Sequence, residues 1–159
     1  MTLVRTCFSV EDARSVDQDP RFDASVLAEI AFCALSPATN DPGTAIDVIG
    51  RALRVLAVWD EPVETLHKYA VPCANVCVPA IRLNDIFTPM ARYGTAIVEV
   101  GLRLQKVFGI LAQFNAPGFR DNAIRRSTEA ISRVELALSL ESDKHRVSVA
   151  AQAVSGAAI

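Results

Sequence analysis

Ser36-Pro37-Ala38-Thr39-Asn40-Asp41-Pro42-Gly43-Thr44 is the most heavily punctuated stretch of the chain, and it separates two runs of helical periodicity. Pro37 stops the upstream run, because proline disfavours helical geometry in the residue before it. Asp41 and Pro42 together start the downstream run. A carboxylate at the cap accepts from free backbone N–H groups, and proline at the first helical position forfeits no hydrogen bond. Upstream, Val26, Leu27, Ile30, Ala31, Ala34 and Leu35 repeat with helical spacing and predict a helix over about Asp23–Leu35. Downstream, Ile46, Ile49, Leu53 and Leu56 predict a second helix from Pro42 to about Trp59, closed by Asp60-Glu61-Pro62. A tight elbow between two helices sets the class as mainly α.

The rest of the chain extends the pattern. Thr2 to Phe8 reads as a short strand, and Ser9 with Asp12 resembles a capping box. Residues 69–82 change character: Tyr69, Val71, Val76, Val78 and Ile81 favour extended structure while Pro72 and Pro79 forbid a helix interior, so a short β-hairpin or extended arm is expected. Asn84-Asp85 opens a helix to about Tyr93, with Pro89 in its first turns, and Gly94-Thr95 interrupts it. A longer helix continues to about Phe114 with Ile97, Val100, Leu104, Val107, Phe108 and Leu111 as its buried stripe. After Pro117-Gly118, helices over about Asp121–Leu140 (Ile124, Ile131, Val134, Leu138) and Ser142–Ala157 complete the chain. With no repeat and no long linker, the expectation is one domain over residues 1–159, a helical bundle of five or six helices with a short β element.

Composition fits that fold and narrows the partners. Of 159 residues 51% are hydrophobic and 21% charged, with 16 basic and 18 acidic side chains, enough apolar surface for a core and too little net charge for a disordered chain. Nucleic acid is not an expected partner of a near-neutral chain. The charge is nevertheless divided: residues 1–65 carry 11 acids and 5 bases, a net of −6, and residues 66–159 carry 7 acids and 11 bases, a net of +4. The two halves either complement one another within the fold or across a dimer, or the basic half, with Arg120, Arg125, Arg126, Arg133, Lys144 and Arg146, meets anionic lipid headgroups. Cys7, Cys33, Cys73 and Cys77 form no C-x-x-C pair and have no histidine at ligand spacing, so no metal or other cofactor is expected and the cysteines read as reduced core thiols in a cytoplasmic environment. No secretory signal opens the chain, and the longest apolar stretch, Ala96–Phe114, is broken by Glu99, Arg103 and Lys106.

Arg14-Ser15-Val16-Asp17-Gln18-Asp19-Pro20-Arg21-Phe22, followed by Ala34-Leu35-Ser36-Pro37 through Asn40-Asp41-Pro42-Gly43-Thr44-Ala45, resembles a bacterial family of predicted membrane proteins, domain of unknown function 2254. The family pattern runs approximately R-[ST]-x-x-Q-D-P-x-F and then A-L-S-P-x-x-N-D-P-x-T-A. Ile86–Leu111, with Ala91-Arg92-Tyr93-Gly94 and Val98-Glu99-Val100, is similar to its second marked region, although Tyr93 and Thr95 stand where Asp and Ala are more usual. The resemblance runs from about Arg14 to the end. It implies membrane-spanning helices ahead of this region, a soluble C-terminal part set on the cytoplasmic face of the bacterial inner membrane, and no established activity.

Three groups of polar residues are the candidate ligand-binding positions. Ser36, Asn40, Asp41 and Thr44 lie at the elbow, where helix capping and turn formation compete with presentation to a polar ligand or cation. Arg14, Gln18 and Asp19 precede the first helix, where Asp19-Pro20 sets a turn or Asp19 converges with Asp41 as paired carboxylates. Arg92 and Glu99 flank Gly94 and read as an internal ion pair or as part of a site. Gly94, Gly101 and Gly109 read as notches for close helix approach. His67, His145 and the serines lie in no catalytic motif, so a catalytic triad is not expected. The expected function is a non-catalytic interaction or regulatory module that docks on its own transmembrane region or forms a homo-oligomer. The alternative is a small-ligand-binding or hydrolytic domain with its site at the elbow.

Overall fold

The structure, a computed structural model, describes residues 20–58, 83–114 and 119–156. Six helices account for them: α1 (Pro20–Ala34), α2 (Pro42–Val58), α3 (Leu83–Tyr93), α4 (Val98–Leu111), α5 (Phe119–Ala137) and α6 (Glu141–Gly156). These fall close to the helices expected from periodicity, but not every end carries the expected signal: Asn84 and Asp85 lie inside α3, which begins at Leu83 and carries Pro89 at its middle, and α4 begins after Ile97 with no side-chain cap. The expected strand over Thr2–Phe8 and the hairpin over 69–82 lie outside the described residues.

α1 packs on α2 and α3, α3 on α5, α5 on α4, and α4 back on α2, which closes a ring of five helices. α6 lies along α4 and α5 from outside that ring. The interior is filled from α2, α3 and α4: Phe87 and Phe108 meet edge to face at 5.6 Å between ring centroids, surrounded by Ile49, Leu56, Ile86, Met90, Leu104 and Leu111. Such an edge-to-face pair adds favourable quadrupole contact to the area it buries. Phe114 and Phe119 stack at 6.2 Å and tie the end of α4 to the start of α5.

The buried faces of α1 and α5 differ from the stripes of large apolar residues read in the sequence. In α1 the buried residues are Ala24, Ala28, Ala31 and Ala34, while Ile30 and Phe32 stand exposed. In α5 they are Ala123, Ser127, Ala130 and Val134. Both helices carry apolar residues on more than one face, and the ring brings their small-residue faces inward because neighbouring helices can approach closely there. One polar contact is sealed in: Ser127 Oγ donates to Gln105 Oε1 at 2.5 Å and Gln105 Nε2 donates to the Ser127 carbonyl at 3.3 Å, with both residues buried. This pair locks α4 to α5, since burial without partners would penalise each group.

Candidate functional site

The elbow between α1 and α2 is built almost wholly from its own bonds. The Asn40 N–H donates to the Ser36 carbonyl at 2.8 Å and the Asp41 N–H to the Ala34 carbonyl at 2.8 Å. Asn40 itself adopts φ +46°, the left-handed region that asparagine tolerates better than most residues. Ser36 Oγ donates to Thr39 Oγ1 at 3.3 Å and accepts from the Thr39 N–H at 3.4 Å. Asp41 then caps α2: Oδ1 accepts the Thr44 N–H at 3.0 Å and Oδ2 accepts the Thr44 hydroxyl at 2.5 Å. The Thr44 hydroxyl first, and its N–H second, hold the Asp41 carboxyl below the ordinary carboxylate range. Both oxygens of the carboxylate are therefore engaged within the first turn of its own helix.

The α3–α4 turn separates Arg92 from Glu99. Gly94 N–H closes α3 on the Met90 carbonyl at 2.9 Å, Ile97 N–H turns back to the Gly94 carbonyl at 3.1 Å, and Thr95 Oγ1 donates to the Arg92 carbonyl at 3.3 Å. Gly94 is required by close approach: a Cβ there would collide with the Val100 side chain and lie 2.9 Å from the Met90 carbonyl oxygen. The expected ion pair between Arg92 and Glu99 is not formed. Both side chains are exposed, Arg92 in the last turn of α3 and Glu99 in the first turn of α4, where each complements the dipole of its own helix. The helix break removes the seven-residue alignment on which the pairing depended. Gly101 and Gly109 face α6, but a Cβ at either would meet Val147 or Val154 at ordinary contact distance, so close approach does not require glycine there as it does at Gly94.

Arg14, Gln18 and Asp19 lie outside the described residues, as do Cys7, Cys73, Cys77 and His67. Cys33 is a free thiol but an exposed one rather than the core thiol expected, because α1 turns Ala31 and Ala34 inward beside it, and His145 is exposed on α6. Among the described residues no three His, Cys, Asp or Glu side chains gather as a metal-ligating group.

The structure assembles one charged cluster that periodicity alone does not reveal. Asp47, Gly50, Arg51 and Arg54 share a face of α2, and Arg51 Nε donates to Asp47 Oδ2 at 2.6 Å. Arg103 reaches over from α4 and lays its guanidinium on Gly50, in the space a Cβ would occupy. Arg51 through that hydrogen bond, and Arg54 and Arg103 through their charge, hold the Asp47 carboxyl below the ordinary range. The i, i+4, i+7 spacing of Asp47, Arg51 and Arg54 is visible in the sequence, whereas the arrival of Arg103 depends on the α2–α4 packing. On the opposite side of the ring Phe32 and Tyr93 meet edge to face at 4.5 Å, 39% and 46% exposed.

No curated protein and no solved structure matches the chain. A family model does, over residues 2–109, which takes in α1, the elbow, α2, α3 and nearly all of α4 but not α5 and α6. No described helix is long and apolar enough to cross a membrane. The match spans more than half of the chain, and the protein belongs to the predicted membrane protein family of unknown function DUF2254.

Proposed function

We propose that this helical bundle is a non-catalytic docking module that packs against the membrane-spanning region implied by the family resemblance. Phe32 and Tyr93 carry this reading. An aromatic pair joining α1 to α3 while leaving more than a third of each residue open to solvent supplies a preformed apolar anchor of the kind that dominates protein interfaces. The most conspicuous polar motif, at the elbow, contributes to the module by fixing α1 against α2. Exposed Cys33 as a free thiol suits the reducing cytoplasmic face of a bacterial inner membrane.

Co-purification of this chain with the membrane-spanning region, produced as separate polypeptides, tests the reading. A complex that survives purification and is lost in the double variant Phe32→Ser and Tyr93→Ser is the expected result. A complex indifferent to both substitutions, or none at all, defeats it. Sedimentation equilibrium of the chain alone distinguishes the homo-oligomer: self-association abolished by the same double variant assigns the aromatic pair to a second copy.

A further inference from the structure

We propose that the α2–α4 seam, where Arg51, Arg54 and Arg103 converge over Gly50, is a binding site for a phosphate-bearing anion. Arg103 is the unusual member. Its side chain is half buried, its Nε is enclosed without a hydrogen-bond acceptor, and among the described residues no hydrogen bond or ion pair reaches it. An enclosed donor with no acceptor burdens the fold unless something outside it supplies one. Among the described residues two further guanidinium groups, Arg51 and Arg54, stand with Arg103 beside one carboxylate, Asp47, and that carboxylate is already taken by Arg51. Asp47, Arg51, Arg54 and Arg103 together therefore carry an excess of two positive charges and an unfilled set of planar, forked donors, the geometry that matches phosphate oxygens.

The basic residues of the C-terminal helices are placed differently. Arg126 pairs with Glu129 at 2.6 Å, Lys144 with Glu141 at 2.7 Å, Arg146 lies 3.5 Å from Asp143, and Arg125 donates to Asn122 at 2.7 Å. Three of these four cations meet a carboxylate three residues along their own helix, and the fourth, Arg125, spends a donor on a neutral amide. Arg126 Nε is likewise enclosed without an acceptor, but a terminal nitrogen of the same guanidinium is held by Glu129, whereas Arg103 makes no hydrogen bond or ion pair among the described residues. The phosphate can belong to an anionic lipid headgroup, which a membrane protein meets at the bilayer, or to a soluble phosphate compound. The site does not depend on the docking role of Phe32 and Tyr93, because free phosphate tests it with no membrane present.

The experiment has two arms on the intact chain: calorimetric titration with inorganic pyrophosphate, and co-sedimentation with vesicles of phosphatidylcholine, alone or mixed in equal parts with phosphatidylglycerol. Saturable binding in either arm, weakened at least about tenfold by Arg103→Gln and by the exposed Arg54→Gln, is the expected result. Binding confined to the vesicles identifies a headgroup, and binding to pyrophosphate identifies a soluble ligand. Gly50→Ala provides a variant of unchanged charge: its new methyl displaces the Arg103 guanidinium and should weaken binding in the same direction. Arg125→Gln should leave binding unchanged. No binding in both arms overturns the proposal, as does a loss in Arg125→Gln equal to that in Arg103→Gln, which would mean diffuse attraction to positive charge. Circular dichroism of each variant keeps loss of fold apart from loss of binding.

Discussion

The elbow at Ser36–Thr44 and the seam at Gly50–Arg103 are both rich in polar side chains, yet they dispose of them in opposite ways. At the elbow each key group finds its partner three or four residues along the chain: Asp41 with Thr44, Ser36 with Thr39, the Asn40 N–H with the Ser36 carbonyl. At the seam, Arg103 travels from another helix to a position where it has no bonded partner among the described residues. A motif that stands out in a sequence can stand out because it folds the backbone. A polar group that the fold carries without satisfying it is the better pointer to something outside the fold.

Substitutions sharpen this contrast, and the largest effect is expected where close approach has no flexible partner. Gly94→Ala sets a methyl against the Met90 carbonyl and the Val100 side chain, so it should cost about 2–3 kcal/mol and lower the melting temperature by several degrees. A thermal melt showing no loss would mean that the α3–α4 turn can shift, and that the notch is not required. Ser127→Ala comes next. It strands the buried Gln105 Oε1 and should cost about 1–3 kcal/mol, whereas Gln105→Leu together with Ser127→Ala should recover part of that loss.

Asp41→Ala removes the α2 cap and should lower the melting temperature by about 2–4 °C at neutral pH, while Asp41→Asn, an equally good cap, should retain most of it. The folded-state pKa of Asp41 is depressed below its ordinary value of 3.8, so its charged form stabilises the fold fully above that pH and loses its effect as pH falls through the folded value. The gap between parent and Asp41→Ala should therefore narrow in melts taken progressively below pH 3.8. A gap constant through acid would show that the carboxylate charge plays no part in the cap. Gly50→Ala should have the smallest effect, under about 1 kcal/mol, because the colliding neighbour is the free end of an arginine and alanine favours the helix. A large loss there would make the seam architectural, like Gly94.

Helix positions were legible because their signals are local. Pro42, Pro37 and Gly94 act on the backbone beside them, and the stripe from Val100 to Leu111 repeats often enough to fix the buried face of α4. Which face α1 turns inward was not legible. Ile30 is larger and more apolar than Ala28 or Ala31, yet the ring packs the alanines and leaves Ile30 exposed. The candidate positions divide in the same manner. The capping geometry of Asp41 arises from its spacing to Thr44, but the separation of Arg92 from Glu99 arises from the path the chain takes through Gly94.

The sequence by itself determined a mainly helical chain, the approximate extent of its helices, the cap at Asp41 and a family resemblance carried by the elbow, because each is a matter of neighbours within about one helical turn. Only the tertiary structure decided that α4 stands between α2, α5 and α6, that Gln105 meets Ser127, and that Arg103 comes to rest on Gly50. Those outcomes depend on which helix faces approach one another, and that choice is made by the packing of the whole ring rather than by any segment of it.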